Sequence, residues 1–253
     1  MKDVRKKYKA LLLDLDGTTI PIEAHGLPSQ KVEQAIITAS KKICVGVATS
    51  RPYFLVSYIF DLLPLSSPCI INSGSEIMDP KTHTVLSQQV ISPEDVIKVF
   101  EYAHELQLPV LIDFHEKYEE MIDVNLNLEG ALCVYIPPVD EKKGELFLKR
   151  ISPIATISAH KMPTPEKGKI HITINHVSAT KQHGILQIAE LLHIQTHDII
   201  GVGDGLNDFP LLMACGLKVA MGNAPEELKA IADYVAPTVE EDGVADVIEK
   251  FIL

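Results

Sequence analysis

The residues best suited to chemistry lie where apolar runs end. Leu11-Leu12-Leu13-Asp14-Leu15-Asp16-Gly17-Thr18 carries two acids at i and i+2. Side chains two apart in a strand share a face, so Asp14 and Asp16 are expected to project together where the chain turns at Gly17. Adjacent carboxylates repel unless a cation lies between them or one takes a proton. An Asp-Gly turn needs one Asp, and an apolar strand has no structural use for a second. A second run, Asp198-Ile199-Ile200-Gly201-Val202-Gly203-Asp204-Gly205-Leu206-Asn207-Asp208, again ends in acids, with glycines that let backbone approach a ligand. Asp204 is expected at the strand end and Asp208 at the head of the next helix, as the N-cap before Phe209 and Pro210. Carboxylate oxygens there suit a hard cation such as Mg²⁺, and the absence of adjacent His or Cys speaks against zinc.

Two further segments offer cations and hydroxyls. Lys181, in Ser178-Ala179-Thr180-Lys181, opens a helix continuing through Ile185, Ile188 and Leu192. A cation in the first turn opposes the helix dipole. By itself this Lys reads as a solvated surface residue; a phosphate or an Asp beside it would make it functional. Val47-Ala48-Thr49-Ser50-Arg51-Pro52 ends a strand with two hydroxyls and an Arg before a helix expected to start at Pro52. Thr49, Ser50 and Arg51 can receive an anion there, or a hydroxyl can simply cap the helix. Asn72-Ser73-Gly74 is a polar turn on the same expected rim. Ten histidines show no HExxH spacing; His115 and His160 fall where they could face a substrate, but each is structural by default. GxGxxG, GxxxxGK[ST] and GxSxG are absent, which weakens dinucleotide, P-loop and serine-hydrolase readings.

The elements that must position these groups follow from periodicity. Apolar runs at 10–16, 43–49, 69–74, 198–204 and 217–222 read as buried parallel strands. Helical spacing fills 32–42, 52–63, 181–192 and 209–215, the last closed by Gly216. Alternating strand and helix predicts an α/β fold, a Rossmann-like parallel sheet with helices on both faces, whose ligands lie at the carboxyl ends of the strands. Residues 82–175 have another grammar. A strand at 84–91, a helix from Ser92 to about Gln107, a strand at 109–113, a Pro137-Pro138 break, a helix at 141–150 and a strand at 170–174 make up a smaller inserted α/β domain. The core is then 1–81 and 176–253.

Composition bounds the function. The chain has 253 residues, 23 Lys plus Arg against 34 Asp plus Glu, a formal charge of −11, and 46% hydrophobic content. That is a soluble globular chain of one large or two smaller domains. Its acidity argues against nucleic acid and anionic membranes as partners, so an anionic substrate must meet local cations. Cys44, Cys69, Cys133 and Cys215 show no CxxC spacing and read as buried apolar residues of a reduced compartment. Residues 1–13 hold only a four-residue apolar run before Asp14, too short for a secretory leader, and no run approaches the roughly 20 apolar residues of a membrane span. A cytoplasmic protein is expected.

Asp14-Leu15-Asp16-Gly17-Thr18, Thr49, Lys181 and Gly203-Asp204-Gly205-Leu206-Asn207-Asp208, in that order, resemble the haloacid dehalogenase superfamily of phosphohydrolases. Val47 to Pro52, Ser178 to Ile185 and Val219-Ala220-Met221-Gly222-Asn223-Ala224 resemble more narrowly its Cof-type branch, which carries a large cap between the Thr and Lys motifs. The resemblance implies Asp14 as nucleophile and Asp16 as acid and then base. It implies Mg²⁺ held by Asp14, the Asp16 backbone carbonyl and Asp204, with Asp208 in support near Lys181. Thr49, Lys181 and Asn207 would hold the phosphoryl oxygens, with Ser50 and Arg51 beside them. The cap would set specificity, for small phosphorylated metabolites and most commonly sugar phosphates, in a monomer or homodimer. Thr49-Ser50-Arg51 and Ser73-Gly74-Ser75 depart from the branch's usual Thr-Gly-Arg and Asn-Gly-Ala, which bears on loop shape rather than on the acids. Alternatives are a sugar phosphomutase on this fold, a phospho-acceptor module such as a signalling receiver, and an idle ligand-binding protein.

Overall fold

A computed structural model describes residues 8–23, 25–164 and 166–253. Of the amino-terminal segment read for a leader, residues 1–7 lie outside that set. The chain divides into two compact units, one formed by 1–51, 55–87 and 180–253, the other by 52–54 and 88–179. The inserted block begins at Gln88 rather than at 82 because the strand at Thr84–Gln88 joins the sheet of the first unit, and it ends at Ala179.

In chain order the first unit contributes β1 (Ala10–Leu13), α1 (Gln30–Ala39), β2 (Cys44–Val47), α2 (Ser57–Leu62), β3 (Cys69–Ile71), β4 (Glu76–Asp79) and β5 (Thr84–Gln88). The second contributes α3 (Pro93–Glu105), β6 (Leu111–Asp113), β7 (Tyr118–Glu120), β8 (Cys133–Asp140), α4 (Glu141–Ile151), β9 (Ile157–Pro163) and β10 (Lys169–His176). The chain returns through α5 (Lys181–Leu191), β11 (Ile199–Gly203), α6 (Phe209–Ala214), β12 (Leu217–Ala220), α7 (Glu226–Lys229), β13 (Tyr234–Val235) and α8 (Gly243–Phe251).

The parallel sheet β13-β12-β11-β1-β2 confirms the α/β reading. Ala10 and Leu12 of β1 share a buried cluster with Ile185 and Ile188 of α5 and Leu211 and Leu212 of α6. Leu11 and Leu13, equally buried, alternate to the opposite face, and α1 packs against α8 and β2. Each such side chain removed from water contributes about 1.5–3 kcal/mol, which is what holds the strand ends in place. α1 and α5 begin where a hydroxyl caps them, Ser29 accepting from the Val32 amide at 3.1 Å and Thr180 from the His183 amide at 3.2 Å. A smaller sheet, β3-β4-β5, adjoins β2 through a bridge between Ala48 and Ile70.

The second unit is an antiparallel sheet, β7-β6-β8-β10-β9, with Ile112, Val134, Ile136, Ile172 and Ile174 packed on Val96, Val99, Phe100 and Phe147 of α3 and α4. The Pro137-Pro138 pair does not break the chain as expected. It lies inside β8, where the register opposite Ile170 and Ile172 shifts. Two residues without N–H groups are tolerated at such a bulge because the ladder needs no donor there. The helix expected from Pro52 is also corrected: a 3-10 turn at Tyr53–Leu55 precedes α2. Tyr53 and Phe54 leave the helical path to pack in the second unit, Tyr53 stacked on His115 at 4.4 Å and Phe54 edge-on to Tyr118 at 5.1 Å. His160 hydrogen-bonds Ser158 at 3.1 Å, and burial lowers its pKa.

Candidate active site

Two of the acids singled out in the sequence, Asp14 and Asp204, sit just beyond strands of the parallel sheet, and Asp16 and Asp208 follow in the loops that leave those strands. β1 ends at Leu13, so Asp14 is the first residue past it, and its amide still bonds the Val202 carbonyl of β11 at 2.9 Å. Asp204 follows the last residue of β11. Gly17, at φ +78°, completes the turn after β1, and a Cβ there would overlap the Asp204 carboxylate. Only glycine lets the two loops close this far.

Lys181 is the centre of the arrangement. Its Nζ donates to Asp14 Oδ1 at 2.6 Å and to Asp208 Oδ1 at 2.5 Å, and all three residues are buried, at 3, 5 and 0% exposure. The solvated reading of this Lys is therefore overturned: two Asp side chains compensate the unfavourable position in the first turn. Its neighbour Thr180 is met at van der Waals range by Gly74, whose φ of +112° and lack of Cβ let the 72–74 turn press on the start of α5. Asp208 is not the side-chain cap expected of it. Its Oδ2 accepts the amides of Asp204 and Gly205, each at 2.9 Å, so it ties down the loop before the helix rather than the helix. The carboxylates of Asp14, Asp204 and Asp208 each present an oxygen within 4.8 Å of the others.

The electrostatics follow from crowding. Burial, and then the charge of Asp208, push the Asp14 carboxyl well above its ordinary range, with Lys181 opposing. Burial chiefly raises Asp204 to about 6, against the hydrogen bond from Thr18, with Asp208 adding to the rise. Burial would lower Lys181, but Asp14 and Asp208 outweigh it and the pKa is raised. Three acids thus share one ammonium, a set that fits a further hard cation through oxygen donors.

Asp16 is separated from this triad. Its two carboxylate oxygens take Arg51 Nε at 2.8 Å and Nη2 at 2.5 Å. Asp14 and Asp16 share the strand end but not a partner, and Arg51, expected among the anion-binding groups, is held by an acid instead. Thr49 is buried, and its hydroxyl accepts the Arg51 amide at 3.1 Å, closing a turn rather than capping a helix. Ser50 and Asn207 meet at an exposed rim, Asn207 Nδ2 donating to Ser50 Oγ at 3.3 Å.

Three contributors were not given roles from sequence. Thr18 Oγ1 donates to Asp204 Oδ1 at 2.8 Å, Thr19 Oγ1 donates to the Asp14 carbonyl at 2.6 Å, and Asn223 Nδ2 bridges the Gly17 carbonyl and Asp204 Oδ2 at 2.8 and 3.1 Å. The hydroxyls lie inside the Asp14 motif, and Asn223 lies in the Met221-Gly222-Asn223-Ala224 turn, so position relative to a recognised motif was the available signal.

Residues 11–122 and 140–248 match the family model of haloacid dehalogenase-like hydrolases. A Bacillus subtilis relative named "Putative phosphatase YkrA" is 44% identical over 253 residues, covering 96% of this chain and 97% of its own. The fold is shared with BT1666 of Bacteroides thetaiotaomicron, a phosphatase of that superfamily, at TM-score 0.83, 24% identity and coverage of 99% and 97% of the two chains. It is shared also with BT4131, a subclass IIB sugar phosphatase, at TM-score 0.77, 23% identity and coverage of 96% and 98%. Among the described residues no helix is long and apolar enough to cross a membrane. With acids gathered at the carboxyl ends of a parallel sheet and a family match over most of its length, the chain belongs to the haloacid dehalogenase-like hydrolases and is a phosphatase of their Cof-type branch.

Proposed function

We propose that the chain is a Mg²⁺-dependent phosphohydrolase of small phosphorylated metabolites, sugar phosphates foremost, working through an aspartyl-phosphate on Asp14. The observation that carries this reading is the buried Lys181 bridging Asp14 and Asp208 with Asp204 alongside. Lys181 holds Oδ1 of Asp14, so attack on phosphorus is assigned to Oδ2. The bond from phosphorus to the leaving oxygen breaks as the bond to Oδ2 forms. Asp16 gives a proton to that oxygen, then takes one from the water that splits the aspartyl-phosphate and frees inorganic phosphate. Thr49, Ser50, Asn207 and Lys181 are assigned to the phosphoryl oxygens. Asp14, Asp204, Asp208 and the backbone carbonyl of Asp16 make an oxygen donor set suited to Mg²⁺. When bound, such an ion neutralises charge that would otherwise keep one anion from another.

The substrate class is supported by BT4131, itself a sugar phosphatase. The inserted unit is assigned the selection of the leaving group, since the acids and Lys181 of the site all come from the first unit. The test is phosphate release from p-nitrophenyl phosphate and a panel of phosphorylated metabolites, with Mg²⁺ or EDTA. Release should require the ion, and Asp14→Asn should lower it by at least about a thousandfold, as for removal of a nucleophile. Activity surviving that substitution overturns the mechanism, and a panel led by non-sugar phosphates overturns the substrate class.

A further inference from the structure

Arg51 stands in the motif where an anion-binding cation was expected, yet its donors are fully engaged. A guanidinium has five N–H groups and no acceptor. Nε and Nη2 hold the two oxygens of Asp16, Nη2 also reaches the Glu23 carbonyl at 2.6 Å, and Nη1 reaches the Leu55 carbonyl at 3.3 Å and Tyr58 Oη at 3.1 Å. The Tyr58 hydroxyl in turn donates a hydrogen bond to the Gly26 carbonyl at 3.0 Å. The Arg51 side chain is 12% exposed, while that of Asp16 is 34% exposed. The acid therefore faces solvent and the cation is anchored behind it.

We propose that Arg51, braced by Tyr58, is a positioning residue that fixes the direction of Asp16 and does not bind the phosphoryl group. The inference rests on Asp16 acting as the acid and base of the proposed reaction. A carboxylate offers about four lone-pair sites, so two bonds from Arg51 leave each oxygen another with which to meet the leaving oxygen or a water. The planar fork sets the carboxylate plane, which a lysine ammonium cannot reproduce. Glu23, Gly26, Leu55 and Tyr58 tie the fork to the loop after β1 and to the segment around α2, so the aim of Asp16 is set by contacts away from the acid triad.

The experiment separates positioning from anchoring by the leaving group. kcat/KM is measured in the Mg²⁺-loaded enzyme for p-nitrophenyl phosphate, whose leaving phenolate needs no proton, and for the best alkyl phosphate of the panel, whose alkoxide does. Competitive inhibition by inorganic phosphate is measured alongside. Arg51→Ala should lower kcat/KM about a hundredfold for the alkyl phosphate, the low end of what acid catalysis supplies, and only a few-fold for the aryl phosphate. The Ki of inorganic phosphate should stay within about twofold. Arg51→Lys and Tyr58→Phe should show the same asymmetry more weakly, and they carry the test if Arg51→Ala does not fold. Equal losses on both substrates, or a Ki raised tenfold or more, overturn the proposal. Asp16→Asn distinguishes the layers: a leaving-group asymmetry in Asp16→Asn with none in the Arg51 and Tyr58 variants defeats positioning alone, whereas no asymmetry in Asp16→Asn defeats the underlying acid–base reading.

Discussion

In the first unit the most consequential charges are inside: Asp14, Lys181 and Asp208 are buried together, and Asp204 is crowded against them. In the second unit the core is carried by Phe100, Phe147 and aliphatic side chains on α3, α4 and one face of the sheet; its buried acids, Asp95 and Asp113, accept from the Thr156 hydroxyl and the His115 amide, and ion pairs such as Lys169–Glu166 and Lys161–Glu145 lie at the surface. Buried charge rarely improves stability over well-packed apolar groups, so a unit that gathers acids around one ammonium is arranged for chemistry. The second unit has the construction of an ordinary fold, an apolar core between two helices and one face of an antiparallel sheet.

That contrast can be broken most directly at Lys181. Lys181→Met leaves Asp14 and Asp208 buried without their cation and should cost about 3–5 kcal/mol in chemical denaturation without divalent ions. Mg²⁺ or acid should recover part of the loss. Phe147→Ala, a cavity at a fully buried site, should cost about as much, roughly 3–5 kcal/mol, with no recovery by either. Identical responses of the two variants would dissolve the distinction between the units.

A smaller effect sharpens it through pH. Because Asp204 titrates at about 6 when folded, against about 4 for an unfolded carboxyl, folding takes up a proton between these values. Its contribution to the stability of the metal-free protein is full below about 4 and lost as pH rises through 6. Mg²⁺ competes with that proton, so it should raise Tm more at pH 7.5 than at pH 5; equal shifts in a thermal melt would count against a carboxylate cation site. The smallest change belongs to the second unit, where Lys169→Ala should alter stability by less than about 1 kcal/mol, since the pair with Glu166 is largely solvated.

Legibility in the sequence followed the same line. Asp14, Asp16 and Asp204 stood out because paired or strand-end acids on apolar strands have no structural use, Asp208 was read as a helix cap as well, and β1, β2, β3, β11 and β12 were visible as apolar runs. β7 and β9 were missed because their half-exposed or short strands carry no such run, and Pro137-Pro138 misled because its bulge depends on pairing with β10. Lys181 and Arg51 showed their residue types but not their partners, Asp14 lying 167 positions from the one and Asp16 lying 35 from the other.

By itself the sequence determined that the apolar runs holding β1, β2, β3, β11 and β12 are buried strands, and that acids rather than histidines or thiols follow β1 and β11, because alternation and solvation act on near neighbours. Only the tertiary structure decided that Lys181 is enclosed between two acids, that Arg51 is bound to Asp16 instead of open to an anion, and that Asn223 reaches Asp204. Those outcomes depend on which strand ends the sheet brings within hydrogen-bond distance, and sequence separation says nothing about that.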